Sequence, residues 1–124
     1  APAGFRGTGA LHVLNMKQIA VTEVKRWIGE TGPALLLDVR EPWEYGLAAI
    51  RLDGATTLNL PMHLVPLRLA ELDPSQPILC ICHHGVRSAQ VVAFLERSGY
   101  DSVYNLAGGI DAWSTKVDPA VPRY

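Results

Sequence analysis

The chain alternates between short apolar runs and segments whose apolar positions recur at helical spacing. Met16 to Ala20 reads as a short strand. Thr22 is placed to cap a helix through Trp27 and Ile28 that stops at Gly29 or Gly32. Pro33 opens ALLLDV, a continuous apolar run too short for a helix, which predicts a buried strand ending on Asp38 and Arg40. EPWEYG has the proline and acidic residues of a first helical turn, and Gly46 keeps that helix short. GATTLNLP reads as a strand and MHLVPLRLAEL as a helix with Pro66 disturbing its start. After the turn DPSQP, ILCIC is again a buried strand. Val91, Val92, Phe94 and Leu95 then suit a helix packed on a sheet and closed by Ser98-Gly99. SVYNL is a short strand, and AGGIDAW is a glycine turn leading to a short helix with Trp113 on its inner face.

Strands that alternate with helices predict an α/β fold, a mostly parallel sheet with helices on both faces. In such sheets ligands bind beyond the carboxyl ends of the strands. Residues 82 to 88 occupy that kind of junction.

Composition narrows the class. The 124 residues suit one domain with one core. The expected division is a flexible extension over residues 1–13 and a single domain over 14–124, whose tail 114–124 lies on the surface. A formal charge of -1 offers no basic excess for a nucleic acid or an acidic membrane surface. No run of 18 apolar residues is present, so no membrane span is expected. The two cysteines, at 80 and 82, would sit about 6.5–7 Å apart on one face of a strand, too far for a structural disulfide. That usage fits a reducing, cytoplasmic setting.

The chemistry concentrates in Cys82-His83-His84-Gly85-Val86-Arg87-Ser88. Gly85 allows positive φ or a close backbone approach, and a helix starting near Arg87 or Ser88 adds unpaired N–H groups. A curled loop of this kind stabilises an anion, either on a ligand or on the cysteine sulfur. A thiolate in such a setting is a nucleophile.

This loop resembles the C-x-x-G-x-R-S active-site loop of the rhodanese family of thiosulfate and persulfide sulfurtransferases. Leu36-Leu37-Asp38-Val39-Arg40-Glu41-Pro42-Trp43-Glu44-Tyr45 resembles the family's first signature. Gly54-Ala55-Thr56-Thr57-Leu58-Asn59-Leu60-Pro61 is similar to its G-A-x-x-x-N-x-P segment, and Gly108-Gly109-Ile110-Asp111-Ala112-Trp113 to its closing G-G-x-x-x-W element. The four stand in family order over about residues 16 to 113.

The resemblance implies a three-layer rhodanese-like fold on a five-stranded sheet. Cys82 would carry the sulfane sulfur as a persulfide, and the N–H groups from His83 to Ser88 would stabilise it. Arg87 closes the loop, while His83, His84 and Val86 line or rim the pocket. Asp38 and Arg40 support the fold around it. The implied partners are a small sulfur donor such as thiosulfate and a thiol or sulfur-carrier protein as acceptor, with no cofactor and no metal. The family's G-H-I-x-G-A is replaced by GLAAIRLDGA at 46–55, so Arg51 or Leu52 lies near the place of its histidine.

Three other readings compete. A cysteine phosphatase would place arginine six positions after the nucleophile, whereas Arg87 comes five after Cys82, a tighter cradle for a single sulfur. Cys80, Cys82, His83 and His84 are all zinc-ligand types, but Cys80 belongs inside a strand. A rhodanese-like binding or sensor module without catalysis would ordinarily have lost the cysteine that is retained here.

Overall fold

The computed structural model describes residues 16–124; the expected extension 1–13 and His12 lie outside the described residues. Strand β1 (Gln18–Ala20) leads through a 3-10 turn (Val21–Glu23) into helix α1 (Val24–Thr31). Strand β2 (Ala34–Asp38), helix α2 (Pro42–Leu47) and strand β3 (Ala55–Asn59) follow, then 3-10 turns at Met62–Leu64 and Leu69–Glu71. Strand β4 (Ile78–Ile81), helix α3 (Val86–Arg97), strand β5 (Val103–Ala107) and helix α4 (Gly109–Lys116) complete the fold. The sheet has the order β1-β5-β4-β2-β3, and every neighbouring pair is parallel. Among the described residues no helix is long and apolar enough to cross a membrane.

Both faces of the sheet are covered, which is why its central strands read as unbroken apolar runs. Side chains alternate between faces along each strand. Leu35, Leu37, Ile78, Cys80 and Val103 join one core with Val91, Val92, Phe94 and Leu95 of α3. Leu36, Leu79, Ile81 and Leu106 join the other, with Val24 and Ile28 of α1 and Ile110 and Trp113 of α4.

Three expectations change. The stretch MHLVPLRLAEL forms two 3-10 turns joined by a further turn, not a helix. Pro66 has no N–H to donate and its ring crowds the carbonyl four residues earlier, so regular α geometry cannot pass through it. Thr22 lies inside the 3-10 turn instead of capping α1, whose N-cap is Glu23, and Gly32 ends that helix with φ 88°. The segment from Ser114 is not yet surface tail. Helix α4 runs to Lys116, with Ser114 buried and its hydroxyl donating to Ile110 O. Beyond it, Val121 and Tyr124 pack back against the core that holds α1 and α4.

Strand β4 lies between β2 and β5, so the carboxyl ends of three strands meet above the sheet. Arg40 follows β2, Cys82 follows β4 and Gly108 follows β5.

Candidate active site

Cys82 leaves β4 and the chain curls through His83 and His84 to Gly85, whose φ of 99° only glycine adopts without strain. That turn aims the Gly85 N–H at Cys82 Sγ, 3.0 Å away. Helix α3 starts at Val86, slightly earlier than expected, with Gly85 as its N-cap. One turn in, Ser88 Oγ lies 3.1 Å from Cys82 Sγ and donates to Asn105 Oδ1 on β5. Cys82 is only 1% exposed and Ser88 is fully buried.

The loop rests on the start of α4. Ile110 N donates to Cys82 O at 2.9 Å and Asp111 N to His83 O at 3.1 Å, so loop carbonyls satisfy N–H groups that the helix cannot. The seat is tight. A Cβ on Gly109 would come within 2.6 Å of the Cys82 carbonyl oxygen. A Cβ on Gly85 would lie 3.3 Å from Gly108 N.

A second network braces the loop from the side. Glu44 forms a capping box with Glu41 at the start of α2. Its carboxylate receives Arg87 Nη1 on Oε1 at 2.6 Å and Arg87 Nη2 on Oε2 at 2.9 Å. The Tyr124 hydroxyl donates to Glu44 Oε2 at 2.7 Å and accepts from Arg40 Nη1 at 2.9 Å. Arg40 is wholly buried, with Nε and Nη2 on the two Asp38 oxygens at 2.9 and 2.6 Å. Its remaining contacts reach Glu44 O and Ala48 O, so all five guanidinium N–H groups find acceptors.

These contacts shift the ionisable groups. Arg87 holds the Glu44 carboxyl down to about 2, against the desolvation that would raise it; Tyr124 and the backbone at Glu41 add to the lowering. The same pair raises Arg87. Burial pushes the Cys80 thiol far up, and the charge of Cys82 adds to that. His83 is held below the ordinary imidazole value by burial first and then by His84. The Tyr124 ring stacks on His83 at 3.9 Å and 8°, and His83 Nε2 is buried without a hydrogen-bond partner.

The structure brings Cys82, Gly85 and Ser88 together as the spacing suggests. His84 and Val86 are exposed at the rim, while His83 is covered by Tyr124. Arg87 is turned sideways onto Glu44. Asp38 and Arg40 lie beneath α2, in the bracing network and not at the sulfur. Trp43 is 64% exposed and meets Tyr124 edge-on at 6.2 Å. Arg51 lies over the Tyr45 ring instead and, with Lys25, Ile28, Leu52 and Asp53, lines a cleft of about 330 Å³ below the start of β3, away from Cys82. His63 is a solvated side chain 3.9 Å from Glu41. Among the described residues, no three His, Cys, Asp or Glu side chains are grouped to hold a metal ion.

Glu44, Asn105, Gly109 and Tyr124 carry no role in the sequence reading. An asparagine inside an apolar strand is a usable sign, since that residue type is depleted from strands. Nothing local marks Tyr124 or ties Glu44 to Arg87.

Residues 20–116 match the family model of the rhodanese-like domain. A protein named sulfurtransferase from Allochromatium vinosum is 35% identical over 86% of this chain and 95% of its own length. The thiosulfate sulfurtransferase GlpE of Actinobacillus succinogenes is 33% identical over 84% of this chain and 91% of its own. Several other relatives are longer proteins, of which this chain spans between 26% and 30%. Among solved structures, a rhodanese-like domain protein from Staphylococcus aureus superposes with a TM-score of 0.70 at 32% identity, over 88% of this chain and 99% of that one. The parallel sheet, the cysteine loop at its carboxyl edge and these matches have one common account: the chain belongs to the rhodanese-like domain family.

Proposed function

We propose that this chain is a sulfurtransferase that carries a sulfane sulfur on Cys82, from thiosulfate or a persulfide donor to a thiol acceptor, small or on a carrier protein. The observation that carries the reading is the Gly85 N–H held 3.0 Å from Cys82 Sγ by a turn that requires glycine. A preorganised donor aimed at sulfur stabilises negative charge there without reorganisation during reaction.

The reaction runs in two displacements. The Cys82 thiolate attacks the outer sulfur of thiosulfate; a bond forms between Sγ and that sulfur as the bond to the sulfite sulfur breaks, and sulfite leaves with the electron pair. An acceptor thiolate then attacks the outer sulfur, the Sγ–S bond breaks, and Cys82 is regenerated as thiolate. Cyanide in place of the thiol gives thiocyanate. No net oxidation occurs and no cofactor is needed. At 1% exposure, Cys82 meets a donor only through a slender terminal sulfur, which suits both donor types. With Arg87 committed to Glu44, loop N–H groups and the Ser88 hydroxyl are left to meet the bound sulfur.

The test is intact-mass analysis of reduced, desalted protein after brief thiosulfate exposure, beside Cys82→Ser and Cys80→Ser. A gain of one sulfur atom, absent in Cys82→Ser, kept in Cys80→Ser and discharged by cyanide or a thiol, is expected. An adduct from a persulfide donor alone would change the donor and keep the mechanism. With no adduct from either, the chain is a binding or sulfur-sensing module.

A further inference from the structure

Asn105 sits in β5 with 2% of its surface exposed, in register with Gln18 on one side and Cys80 on the other. A buried amide needs partners for two N–H groups and an oxygen. Nδ2 donates to Gly85 O and to Gln18 Oε1, both at 3.1 Å. A backbone carbonyl only accepts, so the contact with Gly85 O fixes which end of the side chain is nitrogen. Oδ1 therefore faces Ser88, whose hydroxyl donates to it.

Ser88 has one hydroxyl proton. While that proton points at Asn105, the 3.1 Å contact between Ser88 Oγ and Cys82 Sγ needs the thiol S–H as donor. A thiolate has no proton to give, and neither has the divalent Sγ of a persulfide. Facing the thiolate, the Ser88 hydroxyl turns to the charged sulfur and Asn105 Oδ1 is left buried without a donor; facing the neutral persulfide Sγ, the hydroxyl stays on the amide oxygen, the stronger acceptor.

The geometry points to Asn105 as a positioning residue that competes with Cys82 for the Ser88 proton. It holds the Ser88 hydroxyl while Cys82 is a thiol and yields it to the sulfur when Cys82 is a thiolate. The catalytic meaning rests on the sulfur transfer proposed above; the proton competition does not. The charged and titratable groups around the sulfur are Arg87 on α3, Cys80 on β4, and His83 and His84 in the loop. Glu44 on α2 stands behind Arg87, with Tyr124 against it and Asp111 of α4 beside the histidines. None of these is altered in the variants below.

The experiment is alkylation of Cys82 by iodoacetamide across pH, read by fragment-ion mass spectrometry that tells Cys82 from Cys80 within one peptide, in four proteins: unchanged, Asn105→Ala, Ser88→Ala and the double variant. Loss of Asn105 also frees Gly85 O, but equally in both backgrounds, so the difference between backgrounds reads the competition. Below the alkylation midpoint, the rate gain from Asn105→Ala should be roughly five- to tenfold larger when Ser88 is present than in the Ser88→Ala background. Equal gains overturn the inference. A second measurement uses the unsubstituted chain with carbon-13 label, so no variant has to fold. The Asn105 carboxamide carbon resonance should move through the same midpoint, and a resonance that stays fixed overturns the inference as well. A protein that shows this coupling but never loads sulfur refutes the reaction and leaves the competition standing; one that loads sulfur without the coupling does the reverse.

Discussion

Arg87 and Glu44, 43 residues apart, close a two-pronged ion pair at 2.6 and 2.9 Å that ties the first turn of α3 to the first turn of α2. The pair is lopsided: the Glu44 side chain is 5% exposed and that of Arg87 34%. Removing the arginine strands a buried carboxylate, whereas a neutral glutamine leaves Arg87 able to hydrate. Arg87→Ala should therefore cost about 3 kcal/mol and Glu44→Gln about half that, read from urea unfolding. Both should slow sulfur loading of Cys82 by roughly tenfold or more, because the loop loses its side brace. Arg87→Lys should behave nearly as badly as alanine in loading, since an ammonium cannot make the fork.

Acid should unfold the protein through the same residue. Glu44 is held at about 2, below the value of about 4.3 it takes in the unfolded chain. A lowered carboxylate adds stability above its unfolded value, and that stability is lost as pH falls from there towards about 2. Because water screens the one-third-exposed Arg87, the contribution is about 1.5 kcal/mol, the same loss expected of Glu44→Gln. Unfolding free energies of the unchanged chain and Glu44→Gln, measured down this window, should converge; parallel curves would show that the carboxylate is not what acid removes.

Tyr124 offers two separable functions, a hydroxyl shared by Arg40 and Glu44 and a ring stacked on His83. Tyr124→Phe keeps the stack and should lower stability by about 1–2 kcal/mol. Tyr124→Ala also uncovers His83, whose depressed basicity comes first from burial. The His83 ring resonances should then titrate at higher pH in the alanine variant than in the phenylalanine one. Equal titration would place the cause with His84 instead.

How far the chain can be read from sequence depends on range. ALLLD and ILCI are legible as strands because both faces of the sheet are covered and every position is buried. Cys82, Gly85 and Ser88 are legible as a group because one short loop carries all three. MHLVPLRLAEL misleads because its apolar spacing fits a helix while Pro66 forbids one, and Leu67 points outward at 80% exposure. Tyr124 reads as surface tail because its partners, Arg40, Glu44 and His83, are scattered over the rest of the chain. Gly108 and Gly109 look like an ordinary turn. Their closeness to the cysteine loop exists only once β4 and β5 are paired.

That closeness should make Gly109 one of the least replaceable residues outside the loop. An added methyl meets backbone of His83 and Cys82, and φ of 63° disfavours any side chain. Gly109→Ala should lose about 3 kcal/mol and nearly all sulfur loading. Gly99, with a φ of 93° but no atom within 4 Å of where an added methyl would sit, provides the control. Gly99→Ala should show the backbone strain alone, about 1 kcal/mol, with loading intact. If the two variants lose stability and loading equally, the seat of the loop on α4 matters no more than an ordinary helix end.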